Sequence, residues 1–214
     1  MNNLIQSTTH LAMHIVSPYI RTGCTVIDAT CGNGNDTLSL AKALFTDNAK
    51  ANADMDGAVV DMAEAGSRLY AFDIQQQAVD ATRSLLEGEG FAERLADGSI
   101  RLICDSHENM DQHLDHADVI VFNLGYLPGG DKQLTTVAES TMTAVRDALL
   151  LLEKDGVLCI TMYSGHEAGA YEKARLLQFA ERLDSGVWHA AYVNMINQAN
   201  NPPEILLITR KRNR

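Results

Sequence analysis

The sequence of 214 residues contains only four cysteines, Cys24, Cys31, Cys104 and Cys159, and no two of them form a C-x-x-C pair. Neither a zinc site nor a redox dithiol is indicated, and the four read as small core residues. His10 with His14, and His113 with His116, have no acid or Cys at a completing spacing, so no metal is expected. No apolar run approaches the length of a membrane span, so no membrane partner is expected. The opening Met1-Asn2-Asn3-Leu4-Ile5-Gln6-Ser7 lacks a basic region ahead of an apolar one; a secretory signal is not expected, and the cytoplasm is the default location. Positive charge is also scarce, since 17 Lys and Arg face 28 Asp and Glu for a formal net charge of -11. Indiscriminate binding of nucleic acid requires many cations to neutralise phosphates, and this balance argues against it. A local basic patch remains, at Arg210, Lys211, Arg212 and Arg214, for which a solvated tail is the plain alternative.

What is present suits a globular α/β chain. At 46% hydrophobic and 21% charged residues, the length fits one domain spanning 1–214. Leu4, Ile5, Thr8, Leu11, Ala12, Ile15 and Val16 recur at helical spacing until Pro18 and Gly23 end the segment. Strands are then expected at 25–27, 68–73, 99–104, 119–122, 158–162, 188–195 and 204–209. Helices are expected at 36–44, 76–86 and 140–152, and an insertion at about 46–67 delays the second strand. Alternating β and α predicts a mostly parallel seven-stranded sheet with helices on both faces. The last two strands are joined by too few residues for a crossover helix, so they pair antiparallel or are not neighbours.

The chemistry-bearing residues fall at strand ends. Val26-Ile27-Asp28 is followed by Ala29-Thr30-Cys31-Gly32-Asn33-Gly34-Asn35-Asp36-Thr37, an acid, a G-x-G and a helix start. Two glycines let backbone pass close to a ligand facing helix N-terminal amides. Thr37 stands where a dinucleotide fingerprint would place its third Gly, which disfavours nicotinamide and flavin; D-x-x-x-G-x-G is the form used for S-adenosylmethionine. Asp73 ends the second strand, where an acid can accept both ribose hydroxyls of an adenosine. Asp105, before Ser106 and His107, ends the third and could face the adenine amine or cap a helix. After the fourth strand comes Asn123-Leu124-Gly125-Tyr126-Leu127-Pro128-Gly129-Gly130-Asp131-Lys132, with a side-chain amide, a free backbone carbonyl and an aromatic face where ligands of open sheets bind.

These segments, with Phe72-Asp73-Ile74-Gln75 and Tyr163-Ser164-Gly165-His166-Glu167-Ala168-Gly169, together resemble the Putative rRNA methylase family typified by YtqB, now understood as tRNA methyltransferases of the MnmM type. The likeness runs from about Asp28 to Glu172. It implies a class I, Rossmann-like methyltransferase fold that uses S-adenosylmethionine to convert 5-aminomethyl-2-thiouridine at the tRNA wobble position into 5-methylaminomethyl-2-thiouridine, the anticodon stem-loop being the partner. On the matching positions, Asp28, Thr30, Gly32, Asn33, Gly34, Asn35, Asp36, Thr37, Asp73, Gln75, Asp105, Ser106, His107 and Asn123 would hold the cofactor. Gly125, Tyr126, Pro128, Gly129, Lys132, Tyr163 and His166 would meet the substrate.

Asn123 and its neighbours also resemble the Asn-Pro-Pro-Tyr loop of amine methylases. The Asn123 side-chain oxygen and the Leu124 carbonyl would accept from the substrate amine and stabilise its developing charge. Tyr126 would stack on the base, and Asp131 or His166 could take the proton. Lys132 is the best placed cation for RNA, reinforced by the 210–214 tail if that lies on the same face. A methyltransferase acting on rRNA or a small-molecule amine, and a non-catalytic adenosine-binding module, are the alternatives. A second copy of the chain could complete a homodimer.

Overall fold

A computed structural model describes residues 6–47, 66–125 and 138–211. Helix α1 (Thr8–Val16) is capped by Ser7, whose hydroxyl accepts from the His10 amide at 3.0 Å. Strand β1 (Thr25–Asp28) leads through the glycine loop into α2 (Asn35–Lys42), which carries Asp36 in its first turn. There the acid complements free amides. Then follow β2 (Arg68–Asp73), α3 (Gln76–Gly88), α4 (Ala92–Ala96), β3 (Ile100–Cys104) and, after a 3-10 turn, β4 (Ala117–Leu124). The chain continues with α5 (Ala138–Leu151), β5 (Leu152–Met162), α6 (Glu167–Glu181), β6 (Trp188–Val193) and β7 (Glu204–Arg210).

The seven strands form one sheet in the order β3-β2-β1-β4-β5-β7-β6. The first five pair parallel; β7 runs antiparallel to both β5 and β6. The short link between β6 and β7 permits only that reversal, because a parallel return needs a crossover. Alternate residues of the strands serve two cores. Ile27, Phe72, Phe122 and Ile160 pack with Val145 and Ala148 of α5 and Leu176 of α6. Val26, Leu69, Val121 and Cys159 pack with Val16 of α1, Leu40 of α2 and Leu86 of α3. Burial on both faces is why these strands read as continuous apolar runs.

Three expectations change. Strand β4 continues to Leu124, so Asn123 and Leu124 belong to the strand rather than to a loop; Asn123 lies opposite Thr161 of β5. Helix α6 is not announced by apolar periodicity, because Gly169 and Glu172 stand among its inward residues beside Leu176 and Ala180. The basic cluster would reinforce the docking face only from the same side, yet β7 carries Arg210 to the opposite edge of the sheet. Glu204 pairs with Met162 at the end near Asn123, whereas Thr209 pairs with Val157 far from it. Residues 48–65 of the expected insertion, and Arg212 with Arg214, lie outside the described residues.

Candidate active site

The carboxyl ends of β1, β2 and β4 converge on the glycine loop. Asp28 closes β1 wholly buried, its Oδ1 accepting from the Thr30 amide at 3.1 Å and its Oδ2 from the Thr37 hydroxyl at 2.6 Å. Burial first, and then the nearby charge of Asp36, push its carboxyl up to about 7. Asp36 is raised as well, again by burial. Asp73 accepts from the Gly32 amide at 3.1 Å and from the Gln75 amide at 2.9 Å, which fastens the loop to the end of β2. Each oxygen keeps a second lone pair for a ribose hydroxyl.

The two glycines serve packing as much as ligand approach. Gly34 has φ +82°, and a Cβ there would fall 2.9 Å from the Thr82 Cα of α3. Thr82 also donates its hydroxyl to the Gly32 carbonyl at 3.1 Å. This inward threonine is a loop-shaping residue that sequence reasoning missed; its only signal was a polar residue on the apolar face of α3.

Asn123 is fixed from two sides. Its backbone amide donates to the Thr30 hydroxyl at 2.7 Å, and its Nδ2 donates to Asp36 Oδ2 at 2.9 Å. Its Oδ1 is buried and has no hydrogen-bond partner among the described residues. His107 presents a second such atom. The ring stands edge-on to Phe122 at 5.6 Å and bonds the backbone of Ala29. The Ala29 amide is already given to Val121, so its carbonyl accepts from His107, leaving Nε2 as a bare buried acceptor. Burial holds the imidazole pKa down, which keeps that lone pair available.

The remaining residues divide. Asp105 is drawn into its own turn: it accepts from the Ser106 amide at 2.7 Å and Asn109 at 2.9 Å, and pairs with His113 at 3.0 Å. The His113 bond, and then Asn109, hold its carboxyl below the usual range. The Ser106 hydroxyl accepts from the Glu108 amide at 3.4 Å and caps the 3-10 turn. Asn33 on the loop and Asn35 at the start of α2 are both exposed. His166 caps α6, its Nδ1 accepting from the Gly169 amide at 3.0 Å, which puts the neutral ring's hydrogen on Nε2, so taking up a proton would break that cap. A Cβ on Gly169 would fall 2.0 Å from the Tyr163 carbonyl, and one on Gly125 3.6 Å from the Tyr163 ring, which places Tyr163 beside the end of β4. Tyr126, Pro128, Gly129, Asp131 and Lys132 lie outside the described residues.

The arrangement offers two buried acceptors without donors and three clustered carboxylates. It fits a ligand that is cationic and rich in N–H and O–H donors, as S-adenosylmethionine is with its sulfonium, ammonium, adenine amine and ribose hydroxyls. Known proteins agree. The chain is 31% identical over 210 residues to the tRNA (mnm(5)s(2)U34)-methyltransferase, chloroplastic, of Arabidopsis thaliana, covering 96% of this chain and 70% of that protein. The crystal structure of the Putative rRNA-methylase of Clostridium thermocellum superposes with a TM-score of 0.81 at 32% identity, over 97% of this chain and 99% of that one. The "putative methyltransferase" SMU.1697c of Streptococcus mutans, solved in complex with SAH, gives a TM-score of 0.75 at 29% identity, over 97% and 99%. Residues 69–209 match the family model described as Putative rRNA methylase, and with the relatives above this shows that the chain is a methyltransferase of that family, with a class I fold and S-adenosylmethionine as its cofactor.

Proposed function

We propose that the chain, acting as one domain, methylates the aminomethyl nitrogen of 5-aminomethyl-2-thiouridine at the wobble position of tRNA, giving the 5-methylaminomethyl form. The observation that carries this reading is the Asn123 side chain, an amide whose donor end is tied to Asp36 while its acceptor end is buried without a partner among the described residues at the carboxyl end of β4. An amine brings the N–H that this acceptor lacks, and the bond strengthens as nitrogen becomes positive. The activity named for the Arabidopsis relative supports the same nucleoside.

S-adenosylmethionine, when bound, supplies an electrophilic methyl carbon on a sulfonium that departs as a neutral thioether. The protein's own residues do the rest. Gly32 and Gly34 shape the loop, Asp73 offers acceptors to the ribose, and His107 Nε2 offers one to an N–H of the cofactor. Asn123 Oδ1 orients the nitrogen so that its lone pair faces the methyl carbon, which is where most of the acceleration from positioning arises. Asp73, at the end of β2, puts a negative charge beside the glycine loop that suits the sulfonium. The proton leaves from the methylated ammonium to water.

The test is incubation of hypomodified tRNA with S-adenosylmethionine and the protein, followed by nucleoside mass spectrometry. A methyl group gained by 5-aminomethyl-2-thiouridine is the expected result. Transfer to rRNA or to a small amine, with the wobble nucleoside unchanged, overturns it.

A further inference from the structure

The Asn123 amide presents its oxygen to the site only if its plane is held in one of two orientations. Rotation by half a turn exchanges oxygen and NH2, and the two forms have nearly the same shape. The backbone is fixed by the Thr30 hydroxyl at 2.7 Å and by pairing with Thr161 of β5, neither of which chooses between them. Asp36 does choose. A carboxylate accepts hydrogen bonds and cannot donate them, so the Asp36 Oδ2 contact at 2.9 Å admits the Nδ2 end alone. The opposite end is then Oδ1, which is buried and has no partner among the described residues.

We infer that Asp36 is a positioning residue for the methyl transfer: it acts through Asn123, locking the amide so that its oxygen, and not its NH2, meets the substrate amine. This rests on the reading that Asn123 receives that amine. Asp36 is well placed for the task because it stands in the first turn of α2, directly after the glycine loop, so binding of the cofactor and orientation of the amide share one rigid support. The arrangement is costly for the protein without ligand. Asp36 is held among acids, its carboxyl raised by burial and its charge in turn raising Asp28. A group kept only for stability would not be placed there.

The experiment is a double-mutant cycle on single-turnover methylation of hypomodified tRNA, with Asp36→Ala, Asn123→Ala and the double variant, plus Asp36→Asn. Loss of a charge-assisted contact predicts that Asp36→Ala slows the rate by about tenfold to a hundredfold. S-adenosylmethionine affinity and the apparent KM for tRNA should stay within about threefold, since the effect is on orientation. Asp36→Asn, which keeps the size but accepts either amide orientation, should fall between Ala and the parent. In the Asn123→Ala background, adding Asp36→Ala should change the rate by less than about twofold, because there is no amide left to orient. Thermal stability of both Asp36 variants should equal or exceed that of the parent, which also guards against misfolding. A slow Asn123→Ala with an unaffected Asp36→Ala, or with additive losses in the double variant, overturns the inference and leaves the functional reading standing. An unaffected Asn123→Ala overturns both.

Discussion

Replacing Asp28 with asparagine tests the electrostatics of the site without removing its shape. Asp28 is wholly buried at the end of β1, and its carboxyl is raised from 3.8 to about 7, by burial first, by Asp36 next, and against the pull of the Thr37 hydroxyl and Thr30 amide. The folded protein thus holds a proton that the unfolded chain releases near pH 4. Below pH 4 both states are protonated and nothing is lost; between pH 4 and 7 stability falls as pH rises; above 7 the cost is complete. At 1.36 kcal/mol per pH unit the full difference is about 4 kcal/mol, an upper figure because relaxation around a buried carboxylate lowers it. His107 acts oppositely in part of this window, since its lowered pKa makes folding more favourable as pH rises toward 6.5. Comparing two proteins that share His107 removes that contribution. The asparagine side chain keeps an oxygen for the Thr30 amide, and the Thr37 hydroxyl can turn to accept from the new NH2. Urea unfolding followed by circular dichroism from pH 4.5 to 8.5 should therefore show the Asp28→Asn variant gaining on the parent by about 2–4 kcal/mol as pH rises. A stability difference that stays flat across that range would refute the buried, strained acid.

Asp73→Ala should weaken S-adenosylmethionine binding by about 2 kcal/mol, the scale of lost charge-assisted hydrogen bonds, and calorimetry on the folded variant checks it. Asn123→Ala should leave cofactor affinity nearly intact while cutting turnover by about a hundredfold, read from single-turnover rates on hypomodified tRNA. Gly34→Ala combines φ +82° with a Cβ 2.9 Å from the Thr82 Cα, and should lower stability by about 2 kcal/mol or more in urea unfolding. Lys132→Ala should raise the apparent KM for tRNA and reduce its salt dependence by about one phosphate contact, whereas deleting residues 210–214 should leave that slope unchanged.

The fold was legible because the central strands are buried on both faces, so that Val26-Ile27, Val119-Ile120-Val121-Phe122 and Leu158-Cys159-Ile160 stand out as apolar runs, the first two closed by Asp28 and Asn123. The candidate site is marked in the sequence in the same way, by polar residues that end such runs. What stayed hidden depends on three-dimensional pairing. Nothing in the order of residues says that Asp36 would turn to Asn123, 87 positions away, while Asp105 would turn to His113. Both are acids near helix starts, and each finds the partner its element brings within reach. Helix α6 was hidden by Glu172, whose buried carboxylate accepts from the Thr141 hydroxyl of α5 at 2.6 Å, so a charged residue occupies an inward position.

The reversal at the end of the sheet decides which charges face the substrate. Because β7 runs antiparallel, it begins at the site edge with Glu204, a nearly buried acid, and ends at the far edge with Arg210 over the Trp188 ring and Lys211 bound to the Ser185 carbonyl. At the site edge Glu204 gathers Lys173 of α6, the Tyr192 hydroxyl of β6 and, at 3.4 Å, the Ser164 hydroxyl. Arg175 of α6 stands 3.7 Å from Glu139 and donates to the Tyr171 hydroxyl. Lys173 and Arg175 are therefore already matched by acids, and pairing of that kind cancels most of the long-range attraction a phosphate would feel. These two cations of α6 tie that helix to β7 and α5, and the described part of the basic tail lies at the other end of β7 from Glu204. Under the proposed function, electrostatic capture of tRNA is expected to fall to Lys132, nine positions after Asn123 in the sequence, so that a single charge there should register in the salt slope while five residues of tail should not.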